Sequence, residues 1–146
     1  MEIKITKMEL SDLEEISNIL LSDFDDFWNY NILKSELLNP NSKYLVAKIE
    51  NQIVGFAGIT ICVDRADITN IVTKKDYRHL GIGSAILQEL INLSKSLNLD
   101  NISLEVAESN ITAISLYTKF EFEKCGLRKN YYNNIENAII MTKKLH

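Results

Sequence analysis

The chain has 146 residues, 46% of them hydrophobic and 25% charged, with five glycines and one proline, the make-up of an ordinary compact globular domain. A chain of this length buries about 70% of the surface its unfolded form exposes, so the expectation is one domain over residues 1–146 that needs neither disulfides nor a metal to hold its core. Twenty acidic against sixteen basic residues leave a formal charge of −4, and the basic ones are scattered rather than clustered, which argues against nucleic acid as a partner.

Cys62 and Cys125 are far apart and lack CxxC spacing, which points to free thiols in a reducing compartment, the cytoplasm. His79 and His146 are the only histidines, so zinc sites and Ser-His-Asp or Cys-His nucleophilic machinery lack their parts and no metal is expected. Met1 to Glu9 has no apolar run of signal-peptide or membrane-spanning length, so no membrane association is expected.

Met1 to Met8 alternates, with Ile3 and Ile5 on one face and Glu2, Lys4 and Thr6 on the other, the pattern of a half-buried strand. Ser11-Asp12-Leu13-Glu14 matches a capping box, and Leu13, Ile16, Ile19 and Leu20 follow at helical spacing, which predicts one helix ending near Ser22. Asp23 to Asn29 reads as an acidic and aromatic loop. Ile32, Leu33 and Leu37 mark a short second helix that Asn39-Pro40 closes, because the residue before proline disfavours helix.

Tyr44 to Ile49, Ile53 to Val63 and Asp67 to Thr73 are rich in β-branched residues, with turns at Glu50-Asn51-Gln52 and Asp64-Arg65, which predicts an antiparallel meander. Ile82, Ala85, Ile86, Leu90, Ile91, Leu93 and Leu97 repeat at helical intervals and make Ile82 to Leu97 the strongest helix. Ile102 to Val106 reads as a buried strand, Asn110 to Phe120 as a helix capped by Asn110, and Phe122 to Arg128 and Asn137 to Lys143 as two final strands. The order is β-α-α-β-β-β-α-β-α-β-β, an α/β (α+β) arrangement with a mixed sheet. Its central strand-helix-strand unit is expected to be a right-handed parallel crossover.

Between the third meander strand and the long helix lies Tyr77-Arg78-His79-Leu80-Gly81-Ile82-Gly83-Ser84. Unpaired N–H groups at a helix start, with glycines that let an anion approach the backbone, suit a pyrophosphate. Two glycines alone fit a plain turn before a helix equally well. A dinucleotide fingerprint wants glycine where Ile86 stands, and a P-loop wants a lysine after Gly83, so both of those readings fail.

The segment resembles motif A of the GCN5-related N-acetyltransferases (GNAT), whose Arg/Gln-x-x-Gly-x-Gly/Ala loop is matched by Arg78-His79-Leu80-Gly81-Ile82-Gly83. The element order agrees along the whole chain. Leu104-Glu105-Val106, Ser109-Asn110, Ala113-Ile114, Leu116-Tyr117, Arg128, Asn130-Tyr131-Tyr132 and Ala138-Ile139-Ile140-Met141, with Phe24, Trp28 and Glu36-Leu37, resemble more narrowly the bacterial ribosomal-protein-alanine N-acetyltransferases, the RimI type. The resemblance implies a GNAT fold, with a central, mostly antiparallel sheet flanked by helices. It places acetyl-CoA against Ile71, Val72 and Thr73, the pyrophosphate on His79, Leu80, Gly81, Ile82, Gly83 and Ser84, and Asn110 beside the pantetheine arm. It makes Glu105 the general base and Tyr117 the general acid. An α-amino group, with a pKa near 8, is largely protonated at neutral pH and needs a carboxylate to take its proton, while the departing thiolate gains from a donor such as a tyrosine hydroxyl.

Without the resemblance, Glu105 reads as a solvated strand residue and Tyr117 as a core aromatic. Asp23, Asp25 and Asp26 fit either a solvated surface or a receptor for a basic peptide, and Tyr131-Tyr132 either a peptide groove or the base of a hairpin. Two positions depart from the family pattern. Ala107 stands where an arginine is common, two residues beyond the base. Glu121 replaces a glycine before Phe122, at about 1 kcal/mol if a left-handed helix ending is kept, so an adjusted turn is expected there. The function implied is acetyl transfer from acetyl-CoA to a peptide or protein N-terminus, most specifically the N-terminal alanine of a ribosomal protein, by a monomer or weak dimer. The alternatives are a small-molecule amine (polyamine or amino sugar) as acceptor, or a non-catalytic acyl-CoA sensor.

Overall fold

The computed structural model describes residues 2–24, 29–132 and 136–146, without the side chains of residues 70 and 130–132. The strands are β1 Lys4–Lys7, β2 Ser42–Ile49, β3 Gln52–Cys62, β4 Arg65–Thr73, β5 Asn101–Ala107, β6 Glu123–Tyr132 and β7 Glu136–Lys144. The helices are α1 Leu10–Ile16, α2 Leu20–Phe24, α3 Tyr30–Leu38, α4 Ile82–Ser96 and α5 Ile111–Lys119, with a 3₁₀ turn at Lys75–Tyr77. Among the described residues the strand order is β1-β2-β3-β4-β5-β7-β6, a mixed sheet. Two compact units divide the chain, Met1–Ile61 with Thr69–Leu90, and Cys62–Ile68 with Ile91–His146.

In the first unit β1, β2 and β3 pair antiparallel, Ile5 opposite Ala47 and Leu45 opposite Ala57. The β2–β3 hairpin turns on Glu50 and Asn51 alone, both left-handed at φ 51° and 66°, and Gln52 pairs with Ile49. A two-residue turn with that backbone matches the right-handed twist of its strands, which is why the turn is shorter than the three residues expected. Met8, Leu13, Ile16, Leu20, Phe24, Leu33, Tyr44, Val46, Ile53 and Phe56 form one buried cluster, with the Phe24 and Phe56 rings 5.7 Å apart.

The first predicted helix is two helices and begins earlier than Ser11. Glu9 is the N-cap, and its N–H donates to the Asp12 carboxylate at 2.7 Å. This start places Met8 and Leu13 on either side of the cap, where both are buried, the hydrophobic staple that a start at Ser11 forgoes. The break follows Ile16: the Ser17 hydroxyl donates to the Glu14 carbonyl and the Ile19 N–H bonds Ile16 three residues back, so the regular ladder stops. Asp23 and Phe24, expected in a loop, close α2.

Helix α4 lies against β3 at Gly55, where a Cβ would meet the Val72 carbonyl at 3.0 Å and Ile82 Cγ2 and Ile86 Cδ1 at 3.1 Å. Glycine is what lets the helix come this close, and the contact sets where its first turn stands.

In the second unit β4 and β5 are parallel, the geometry expected of the central strand-helix-strand segment, over Arg65↔Asn101, Ala66↔Ile102 and Asp67↔Ser103. Both strands run on past that ladder, to Thr73 and Ala107. β7 pairs antiparallel with both β5 and β6. The β3–β4 turn comes one residue before the predicted position, with Val63 left-handed at φ 57° and Arg65 already in β4.

Helix α5 ends in a Schellman motif: the Phe122 N–H bonds the Tyr117 carbonyl and the Glu121 N–H bonds Thr118, both at 3.0 Å, while the Tyr117 and Phe122 rings close the turn 5.8 Å apart. Glu121 sits in it at φ 70°. The turn therefore keeps its left-handed form and does not adjust to the missing glycine, because two hydrogen bonds and a ring contact outweigh the strain of one side chain. Glu121→Gly should stabilise the fold by about 1 kcal/mol, raising Tm by about 2–4 °C in a thermal melt.

Candidate active site

The first unit carries the glycine loop. Ile71, Val72 and Thr73 end β4, half-buried, and the Lys74 N–H donates to the Val54 carbonyl at 2.8 Å, tying the strand end to β3. The chain then passes through exposed Arg78, His79, Leu80 and Gly81, with His79 and Gly81 left-handed at φ 66° and 83°. Ile82 and Ile86 are buried and anchor the helix behind this loop. The Ala85 N–H bonds the Gly81 carbonyl at 3.0 Å, opening the helical ladder, so the N–H groups of Ile82, Gly83 and Ser84 precede it with no carbonyl one turn back. A Cβ on Gly81 would meet nothing within 4 Å, and one on Gly83 would reach only Thr73 Oγ1 at 4.0 Å. The space ahead of the helix is open, and no acidic residue lies in its first turn. A phosphate can reach these donors, which the positive end of the helix dipole reinforces.

The second unit carries a carboxylate with its arginine partner, a tyrosine and a cap. Glu105 is on the half-exposed face of β5, alternating with buried Leu104 and Val106, and its side chain is 28% exposed. Its Oε1 lies 2.8 Å from a guanidinium nitrogen of Arg128 on β6, an ion pair that spans β7. Nothing in the local sequence marks this partnership, since it depends on the register of two strand pairs. Tyr117 is half-buried on α5, packed on Phe122. Asn110 is the N-cap of that helix, as expected, and its Oδ1 accepts the Ala113 N–H at 3.2 Å.

Asp23 is half-buried in α2 and accepts a hydrogen bond from Ser22, while Asp25, Asp26 and Trp28 lie outside the described residues. The same holds for the side chains of Asn130, Tyr131 and Tyr132, whose backbone continues β6. Glu36 accepts from the Ser42 hydroxyl at 2.8 Å, and the Tyr30 hydroxyl donates to Glu14, which holds the Tyr30 pKa above its ordinary value. No helix of the described residues is long and apolar enough to cross a membrane.

The family model for the acetyltransferase (GNAT) family matches residues 9–122. A Bacillus subtilis (strain 168) protein with the provisional name ribosomal protein bS18-alanine N-acetyltransferase is 38% identical over 139 residues, 94% of this chain and 92% of its own. The ribosomal protein bS18-alanine N-acetyltransferase of Haemophilus influenzae (strain ATCC 51907 / DSM 11121 / KW20 / Rd) is 34% identical, covering 94% of this chain and 95% of its own. The crystal structure of the ribosomal-protein-S18-alanine N-acetyltransferase from Escherichia coli superposes with a TM-score of 0.89 at 27% identity, over 99% of this chain and 94% of that one. The chain belongs to the GNAT family of acetyltransferases.

One electrostatic contact supports the α5 cap from outside the helix. Glu136 on β7 interacts with the Ser109 hydroxyl and accepts the Ser109 N–H at 2.8 Å, and these two hydrogen bonds, the side-chain one foremost, draw its pKa below the ordinary 4.5 by favouring the charged form. A carboxylate whose folded pKa is depressed adds stability above its unfolded pKa and loses it as pH falls through the folded value. Glu136→Gln should therefore melt below the wild type at pH 7, and the gap should close as melts are taken to pH values well under 4.5.

Proposed function

We propose that this protein moves the acetyl group of acetyl-CoA to the α-amino group of a protein N-terminus, with the N-terminal alanine of a ribosomal protein as the acceptor. The observation that carries the reading is the likeness, over more than nine-tenths of both chains, to proteins named for that reaction in Bacillus and Haemophilus. In this reading the backbone of Ile71, Val72 and Thr73 binds the pantetheine amides, and His79, Leu80, Gly81, Ile82, Gly83 and Ser84 bind the pyrophosphate. Asn110 spends its oxygen on the helix cap, so its amide N–H groups are what it offers the pantetheine arm.

The amine nitrogen attacks the thioester carbonyl directly, forming C–N as C–S breaks, without a covalent enzyme intermediate. Glu105, directly or through water, takes the proton that the amine must lose, and the Tyr117 hydroxyl protonates the departing thiolate. Free thiols at Cys62 and Cys125 suit a cytoplasmic enzyme. Ala107, where the family pattern leads one to expect an arginine, favours a second reading in which the acceptor is a small amine. Thiol release from acetyl-CoA with an alanine-starting peptide, against panels of other peptides and of polyamines and amino sugars, tests both: turnover only with small amines overturns the N-terminal reading.

Gly83→Asp should weaken acetyl-CoA binding strongly in a calorimetric titration, since it puts a side chain and a negative charge where pyrophosphate meets the backbone; unchanged affinity in the folded variant removes the loop assignment. Glu105→Gln should keep acetyl-CoA affinity but lose about 10²-fold or more of turnover at neutral pH. Raising the pH should restore part of that loss, because the amine deprotonates unaided near pH 8, whereas Tyr117→Phe should stay slow. Parallel recovery of the two variants in their pH–rate profiles would show the roles to be wrongly divided.

A further inference from the structure

We propose that Arg128 is a positioning residue for acetyl transfer: its guanidinium holds one oxygen of Glu105 so that the other faces the amine that gives up its proton. The proposal rests on the reading of Glu105 as the base. Its own foundation is the architecture of the sheet. Glu105 lies opposite Ile140 on β7, and Ala107 lies opposite Ala138, which in turn lies opposite Arg128 on β6. Residues two apart on a strand share a face, so Glu105, Ala107, Ala138, Ile140 and Arg128 all project from one side of the sheet.

Two strand spacings, about 9.5 Å, separate β6 from β5, so the arginine must cross β7 to reach the carboxylate. It can do so because the row it starts from is Ala107–Ala138–Arg128, with only methyl groups beyond it. An arginine at position 107 would stand in that row beside Glu105. In this chain alanine stands there, and the cation that meets Glu105 comes from two strands away. The 2.8 Å contact engages Oε1. An arginine–carboxylate contact of that length is a charge-assisted hydrogen bond, and a planar guanidinium restrains the carboxylate in direction as well as position. With 28% of the Glu105 side chain exposed, the carboxylate remains open to an incoming amine or a bridging water.

The test compares wild type, Arg128→Ala, Arg128→Lys, Glu105→Gln and the double variant Glu105→Gln/Arg128→Ala, with acetyl-CoA and an alanine-starting peptide. Arg128→Ala should lower kcat by about tenfold or more while leaving the KM for acetyl-CoA in place, because it disturbs proton removal and not cofactor binding. Guanidinium or methylguanidinium, well below denaturing concentrations, should restore part of that loss, and Arg128→Lys should fall between wild type and Arg128→Ala. The double variant should be no slower than Glu105→Gln alone, since a held group that is already gone leaves nothing to position. A purely structural role would give a lowered Tm, no guanidinium rescue and losses that add; that pattern overturns the proposal. An Arg128→Ala variant as fast as wild type, or faster, overturns it as well, and the latter would mean that the ion pair restrains the base. If Glu105→Gln alone keeps full turnover, the base reading itself has failed, and the proposal with it, whatever Arg128→Ala does.

Discussion

The glycine loop ahead of α4 stands where it does because that helix rests on a residue without a side chain. Gly55 on β3 lies under Ile82 and Ile86, and any Cβ there would press on both and on the carbonyl of Val72. The same contact therefore holds the helix start, the end of β4 and the strand beside it in one arrangement. His79 and Gly81 then take left-handed backbone to carry the chain from strand to helix without filling the space ahead of the first turn. Buried apolar anchors behind the loop and open space before it are what an N-terminal helix site needs, because backbone donors serve an anion only if their direction is settled before it arrives.

In the second unit the alternation of the sheet does the corresponding work. Ile102, Leu104 and Val106 are buried, which turns Ser103, Glu105 and Ala107 to the other face of β5. Polar groups on that face meet across strands: Ser103 hydrogen-bonds Thr142 at 2.8 Å, and Glu105 meets Arg128. A shift of one residue in the β5–β7 register would send Glu105 into the apolar side, so the hydrophobic pattern that stabilises the sheet also determines where the carboxylate points.

Much of this could be read in the chain itself, and the reason is locality. The helix α4, the cap at Asn110, the strand order along the chain and the glycine loop all depend on spacings within a few residues, and each appears with boundaries close to those expected. The misreadings have a common origin in packing and hydrogen bonding, which residue type and spacing alone do not weigh. Ser11 and Glu14 formed a plausible box, but burying Met8 with Leu13 favoured a start at Glu9. Glu121 was expected to relax its turn, yet the packing of Phe122 on Tyr117 and the two hydrogen bonds behind it keep the left-handed form.

The amino-acid sequence by itself determined most of the elements and, through its glycine loop and the residues from Leu104 onward, the family, because those are properties of residue type and short spacing. Only the tertiary structure decided which groups meet. The contact of Arg128 with Glu105 requires two strand pairings in register and small side chains at Ala107 and Ala138 along the way. The seat of α4 on Gly55 requires a strand and a helix with nineteen residues of chain between them, 63–81, to come within van der Waals distance. Neither follows from any short window of sequence, since close packing and strand register are settled by the whole set of buried contacts at once.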